Sequence, residues 1–81
     1  MIDENDKPLA AVYLVRRNNL RRLCEMHGGG APLARRLGVS AVYISQISGA
    51  VTRRAVGEKA ARRIEKTLGL TEGWLDMQRG G

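Results

Sequence analysis

The 81-residue chain holds a single cysteine, a single histidine, one tryptophan, two tyrosines, two prolines and no phenylalanine. A lone Cys excludes a disulfide framework. With one Cys and one His, no nucleophile, base and orienting group can be assembled, and no set of metal ligands either, so neither an enzyme nor a cofactor or metal site is expected. The absence of Phe and the scatter of the Tyr and Trp residues leave no platform on which single-stranded RNA bases could stack. No apolar run approaches the ~20 residues that a membrane span needs, and the first eight residues are acidic and polar rather than signal-like. The expectation is a cytoplasmic protein with no membrane partner and no small-molecule substrate.

What the chain has in quantity is arginine. Eleven of its fourteen basic residues are Arg, ten of them in the doublets Arg16-Arg17, Arg21-Arg22, Arg35-Arg36, Arg53-Arg54 and Arg62-Arg63. The net charge of +6 conceals an asymmetry: residues 1–8 sum to −2, whereas residues 9–66 carry twelve Lys or Arg against Glu25, Glu58 and Glu65. Guanidinium forks match phosphate oxygens, so the basic segment fits a polyanionic partner. Eighty-one residues suffice for one small core.

The apolar periodicity is helical throughout, without a convincing strand or internal repeat. The division expected is an acidic tail at 1–7, a domain at 8–78 and a short tail at 79–81. Asp6 can cap a first helix at about 8–27, with Leu9, Val12, Tyr13, Leu20, Leu23, Cys24 and His27 on one stripe. Arg16 falls in that stripe, where it either snorkels outward or pairs with a carboxylate that the sequence does not identify. Gly28 offers a left-handed exit, and Ala31-Pro32 after the Gly triplet 28–30 reads as a turn into a second helix rather than a phosphate-cradling loop. That helix spans about 31–37 and stops at Gly38, Ser40 caps a third at 41–48, and a fourth at 57–68 carries Ala60, Ala61, Ile64 and Leu68. Gly69-Leu70 reads as a Schellman stop, and Thr71 as the cap of a short fifth helix bearing Trp74, Leu75 and Met77.

The third helix has two unlike faces. Ile44 and Ile47 turn inward, whereas Ala41, Val42, Ser45 and Gln46 make an outward face without a single charge. A solvated face usually carries Lys or Glu. A face of small side chains and one amide suits close approach to a wide, shallow surface such as the DNA major groove, where Gln can bond adenine bidentately, Ser several base edges, and Ala or Val a thymine methyl. The helix before it, anchored by Leu33, Ala34 and Leu37 and joined through Gly-Val-Ser, completes a bihelical unit.

The stretch "APLARRLGVSAVYISQISG" resembles the helix-turn-helix of lambda-repressor-like and Cro-like domains, with Ala34, Gly38, Val39, Ile44 and Ile47 at the matching offsets. The resemblance continues through "TRRAVGEKAARRIEKTLGLTEGWLD" and covers about residues 16–76. It implies an all-α, five-helix bundle of the phage-repressor type, working in a bacterial or phage-infected cell and binding a palindromic operator as a homodimer. By position, Ala41, Val42 and Gln46 fall where the family places base-contacting side chains, with Ser40 and Ser45 beside them. The phosphate-contacting positions are Gly30 and Ala31, Thr52, Arg53 and Arg54, and the amides of Gly57 and Glu58. The family often has Gln where this chain has Gly30, and two of the three base-reading positions are apolar, so readout is expected to lean on thymine methyls, Gln46 and DNA shape.

Other residues carry two readings. Arg53 and Arg54 overhang the DNA backbone or are merely solvated, and so are Arg35 and Arg36. Tyr43 straddles the helix boundary, either packed or with its hydroxyl toward a phosphate. Lys59, Arg62, Arg63 and Lys66 form a basic stripe on the fourth helix that reads as a solvated face, with Glu58 supporting Arg62 one turn on. Trp74, Leu75 and Met77 are core residues or a dimer interface. Cys24 and His27 read as packed and unliganded. Two rivals to an operator-binding regulator are an antitoxin-type autoregulator with a toxin partner, and a protein-interaction module that does not touch DNA.

Overall fold

The computed structural model describes residues 6–49 and 55–78, those from residue 11 onward with their side chains. Four α-helices form, α1 (Asp6–Met26), α2 (Gly30–Leu37), α3 (Ala41–Ser48) and α4 (Glu58–Leu68), followed by a 3-10 turn at Trp74–Asp76, with no strand among the described residues. The expected fifth helix is thus a single 3-10 turn. The remaining boundaries differ from the sequence reading by one or two residues, and α3 matches it at both ends.

Local chemistry explains where the helices stop. Gly38 adopts φ 74°, ψ 30° after α2, which lets its own amide reach Arg35 O at 3.3 Å and the Val39 amide reach Ala34 O at 3.0 Å. Both bonds of a Schellman motif are present, and a side chain at Gly38 would strain that left-handed backbone. The same pair closes α4, where the Leu70 amide reaches Glu65 O at 2.8 Å and the Gly69 amide reaches Lys66 O at 3.2 Å. Ser40 caps α3 as expected: its Oγ accepts from the Tyr43 amide at 3.0 Å.

The core lies where α1, α2, α3 and α4 converge on Leu20, Leu23, Leu33, Ile44, Ile47, Val56, Ala61 and Ile64, with Leu75 inserted from the 3-10 turn. Full burial of a Leu or Ile side chain contributes about 1.5–3 kcal/mol each. Ala34, 2% exposed, keeps α2 narrow enough for α3 to cross against it. The apolar stripe of α1 is only partly used. Leu20 and Leu23 are buried, but Tyr13 is 37% exposed.

Three buried polar residues organise the opposite corner. Arg16 does pair with carboxylates: Nε donates to Asp76 Oδ1 at 2.6 Å, Nη2 to Asp76 Oδ2 at 3.2 Å and to Glu58 Oε1 at 3.1 Å, and Nη1 to Val56 O at 2.7 Å. Its guanidinium also sits 5.8 Å from the Tyr13 ring centroid. Asn19 Nδ2 donates to Leu75 O at 2.8 Å and Met77 O at 2.9 Å, fixing the C-terminal turn against α1. Glu65, 1% exposed, accepts from the amides of Gly73 at 2.9 Å and Leu75 at 2.8 Å. These bonds account for the missing helix. Thr71 caps nothing with its side chain, Gly73 turns left-handed at φ 92°, and the Glu65 carboxylate takes the amides that a helical start would have needed to satisfy.

Arg62 departs from the solvated stripe in which the sequence placed it. Its guanidinium lies 3.5 Å from Glu58, 2.9 Å from Asp76 and 3.1 Å from Glu65, and only 24% of the side chain is exposed. The Nε contact with Glu65 is an ion pair by distance without hydrogen-bond alignment, while Nη2 donates to Glu65 Oε2 at 3.2 Å. Lys59, Arg63 and Lys66 remain exposed.

Candidate nucleic-acid interface

Helix α3 places Ile44 and Ile47, 1% and 0% exposed, against the core, and therefore turns Ala41, Val42 and Ser45 outward. Val42 is 65% exposed. Gln46 is half-buried at the edge of this face, and Ser40 is exposed at its start. Because the Ser40 oxygen already accepts from the Tyr43 amide, its hydroxyl proton is what remains to offer a ligand. Five of the residues singled out in the sequence are thus brought to one surface.

One helix N-terminus borders that surface. The α2 terminus, Gly30 and Ala31, opens beside Ala41 and Ser45 on a shallow hollow of about 450 Å³, also lined by Arg21 and Ser48. No side chain caps α2 after Gly29, so its first amides have no intrahelical partner, and Pro32 contributes none. Gly30 is within contact range of Ile44, since a Cβ there would lie 3.5 Å from its Cγ2. At the far end of α3 the chain is more constrained: a Cβ on Gly49 would come within 2.9 Å of Ser45 O, so this glycine serves close approach rather than a left-handed turn, its φ being −74°.

The remaining expected contacts divide. Arg35 and Arg36 are exposed in the last turn of α2. Tyr43 is half-buried and lines, with Leu37, Val39 and Ile64, a groove of about 420 Å³ between the α2–α3 turn and α4. Thr52, Arg53 and Arg54 lie outside the described residues. Gly57 precedes α4 in extended conformation with no side-chain cap, leaving the first α4 amides without intrahelical partners. Glu58 in that first turn would oppose an anion, but Arg16 and Arg62 pair with its carboxylate at 3.1 and 3.5 Å.

Trp74 is half-buried and Leu75 fully buried in the core of the single chain, whereas Met77 is 56% exposed. Cys24, at the inner wall of the hollow, has its thiol pushed up by burial, partly offset by a side-chain bond with Ser48. A raised thiol is a poor nucleophile and a poor metal ligand. No group of three or more His, Cys, Asp or Glu positioned for a metal forms among the described residues. Arg21, absent from the sequence reading of the surface, stands at the mouth of the hollow. Nothing in the local pattern distinguishes it from the other Arg doublets, since only the packing of α1 against α2 and α3 brings it there.

These features define a small all-α domain with a bihelical α2–α3 unit, the exposed face of α3 uncharged and the uncapped N-terminus of α2 beside it. In sequence the chain is weakly homologous to the prophage repressor CohE of Escherichia coli (strain K12), 30% identical over 70 residues, which is 86% of this chain. The chain spans 31% of that protein's length. No family model matches the chain, and no solved structure matches it. No helix among the described residues is long and apolar enough to cross a membrane.

Proposed function

We propose that this chain is a sequence-specific, double-stranded DNA-binding regulator of the phage-repressor type, reading a palindromic operator with α3 in the major groove. The observation that carries the reading is the outward face of α3: exposed Ala41, Val42 and Ser45, with Gln46 at its edge and both isoleucines buried behind. The similarity to a prophage repressor supports it.

In this reading the α2 and α4 N-termini grip successive phosphates through backbone amides, as helix starts do. Arg35, Arg36 and the Arg53-Arg54 pair add charge along the backbone. Gln46 bonds a base edge, Ser45 and Ser40 donate to acceptors nearby, and Val42 and Ala41 pack on thymine methyls. Affinity then comes mainly from phosphate contacts and falls steeply with salt, while discrimination comes from α3.

Selection from a random double-stranded library at moderate salt, with sequencing of the bound fraction, tests this directly. Enrichment of a palindrome with half-site centres about one helical turn apart is the expected result. Retention without enrichment would reduce the function to backbone binding. No retention even at low salt would favour a protein-interaction module.

A further inference from the structure

The cations of α4 divide between two sides of the helix. Arg62 faces the corner, where Glu58, Glu65 and Asp76 pair with it. Lys59 and Arg63 face the other way, both exposed, and no carboxylate among the described residues pairs with either. They stand on the rim of the groove of about 420 Å³ between the α2–α3 turn and α4. Lys59, Arg63 and Thr67 recur every four residues along one edge, over about 12 Å of helix, while Ala60 and Ile64 on the adjacent row supply the floor. Half-buried Leu37, Val39 and Tyr43 form the opposite wall. No Asp or Glu is among the described residues that line it.

An apolar trough with two unpaired cations on one rim suits an anion that carries an apolar body. Its volume falls in the range of about 300–1,000 Å³ that holds small organic ligands. A protein partner would need about 800 Å² on this side. The large apolar side chains that stand exposed among the described residues, Tyr13, Leu14, Met26, Val42 and Met77, all lie outside the groove's lining, so its apolar surface is not extended by them.

We propose that this groove binds a small organic carboxylate, with its apolar body on Leu37, Val39, Ala60 and Ile64 and its carboxylate between Lys59 and Arg63, and that occupancy lowers affinity for DNA. Lys59 is the second residue of α4, whose N-terminus grips a phosphate in the proposed function. A carboxylate held there cancels positive charge beside that phosphate, and the apolar body lies against Tyr43, next to Val42 of the reading face. The effect on DNA rests on the proposed function, whereas the binding site does not.

Amide chemical shifts of the full ¹⁵N-labelled chain, followed through titrations with 4-phenylbutyrate, its neutral amide 4-phenylbutyramide, and acetate, test the site. Saturable shifts clustered at 37–43 and 59–67 are expected with 4-phenylbutyrate, and binding about 5-fold or more weaker with the amide and with acetate. Lys59→Gln combined with Arg63→Gln should abolish the preference for carboxylate over amide. No saturation, shifts spread over the arginine doublets elsewhere, or a double variant that keeps the preference would each overturn the site. At constant ionic strength, saturating 4-phenylbutyrate should also weaken operator binding, and operator should weaken the probe by the same factor. An operator affinity indifferent to the probe would overturn the effect on DNA. A chain that binds no DNA at all would defeat the proposed function, and the titration would still decide the site.

Discussion

The α2–α3 unit and the corner where α1, α4 and the 3-10 turn meet are held by different chemistry. The first relies on neighbours in sequence: Gly38 turns, Ser40 caps across three residues, and the isoleucines alternate with the small outward residues. The second relies on bonds that span the chain, from Arg16 to Asp76 and Glu58 and from Asn19 to Leu75. A unit secured locally can present its outer face without committing it to the fold. In the corner Asn19 and Glu65 hold the C-terminal segment, and that segment completes the core through Leu75.

The sharpest way to break this contrast is Glu65→Ala. Removing a buried carboxylate that satisfies two amides should cost about 3–5 kcal/mol in urea denaturation. A loss below ~1 kcal/mol would show that the corner is held by apolar packing alone. In the other region, Gln46→Ala should leave stability unchanged and relax preference at one base pair per half-site by about 1–3 kcal/mol, measured by competition binding with substituted operators. Ser40→Ala sharpens the division within α3. As a cap it should cost about 1 kcal/mol of stability, and any additional loss of operator affinity in excess salt-matched titrations would assign its free proton to a base.

The smallest effect expected is one of pH. The Asp76 carboxyl is held below its ordinary range chiefly by the hydrogen bond from Arg16, with Arg62 adding to it against the opposing cost of burial. A depressed folded-state value means that the stabilisation is present above the unfolded carboxylate range and disappears as pH falls through the folded value. Asp76→Asn should therefore lower the melting temperature near neutral pH, and the difference from the parent chain should shrink as the medium is acidified below about pH 4. A difference independent of pH would mean that the geometry of Asp76 matters and its charge does not. The same network raises Arg16, so no titration of that guanidinium enters the range.

How much was legible in the sequence follows the same contrast. The α3 boundaries, the Ser40 cap, the Gly38 and Gly69 stops and the burial of Leu33, Ala34, Ile44, Ile47, Ala61 and Ile64 were readable because each rests on spacing of five residues or fewer. The outward face of α3 was readable as the complement of its buried one. Arg16 announced a problem by sitting in an apolar stripe, but its partners lie 42 and 60 residues away. Glu65 gave no signal at all, since a Glu between Arg62-Arg63 and Lys66 on α4 looks solvated. Arg62 was misplaced for the same reason.

The sequence alone determined the helices, their stops, the two faces of α3 and the strongly basic character of the chain, because helical periodicity, capping and charge depend on residues close together or on composition. Tertiary structure alone decided that Arg16, Asn19 and Glu65 are core residues, that the C-terminal segment forms a 3-10 turn instead of a helix, and that Leu14 stands exposed on α1. Those outcomes depend on which buried amides and carboxylates find each other across the fold, and the cost of leaving such groups unpaired has no signature in any short window of sequence.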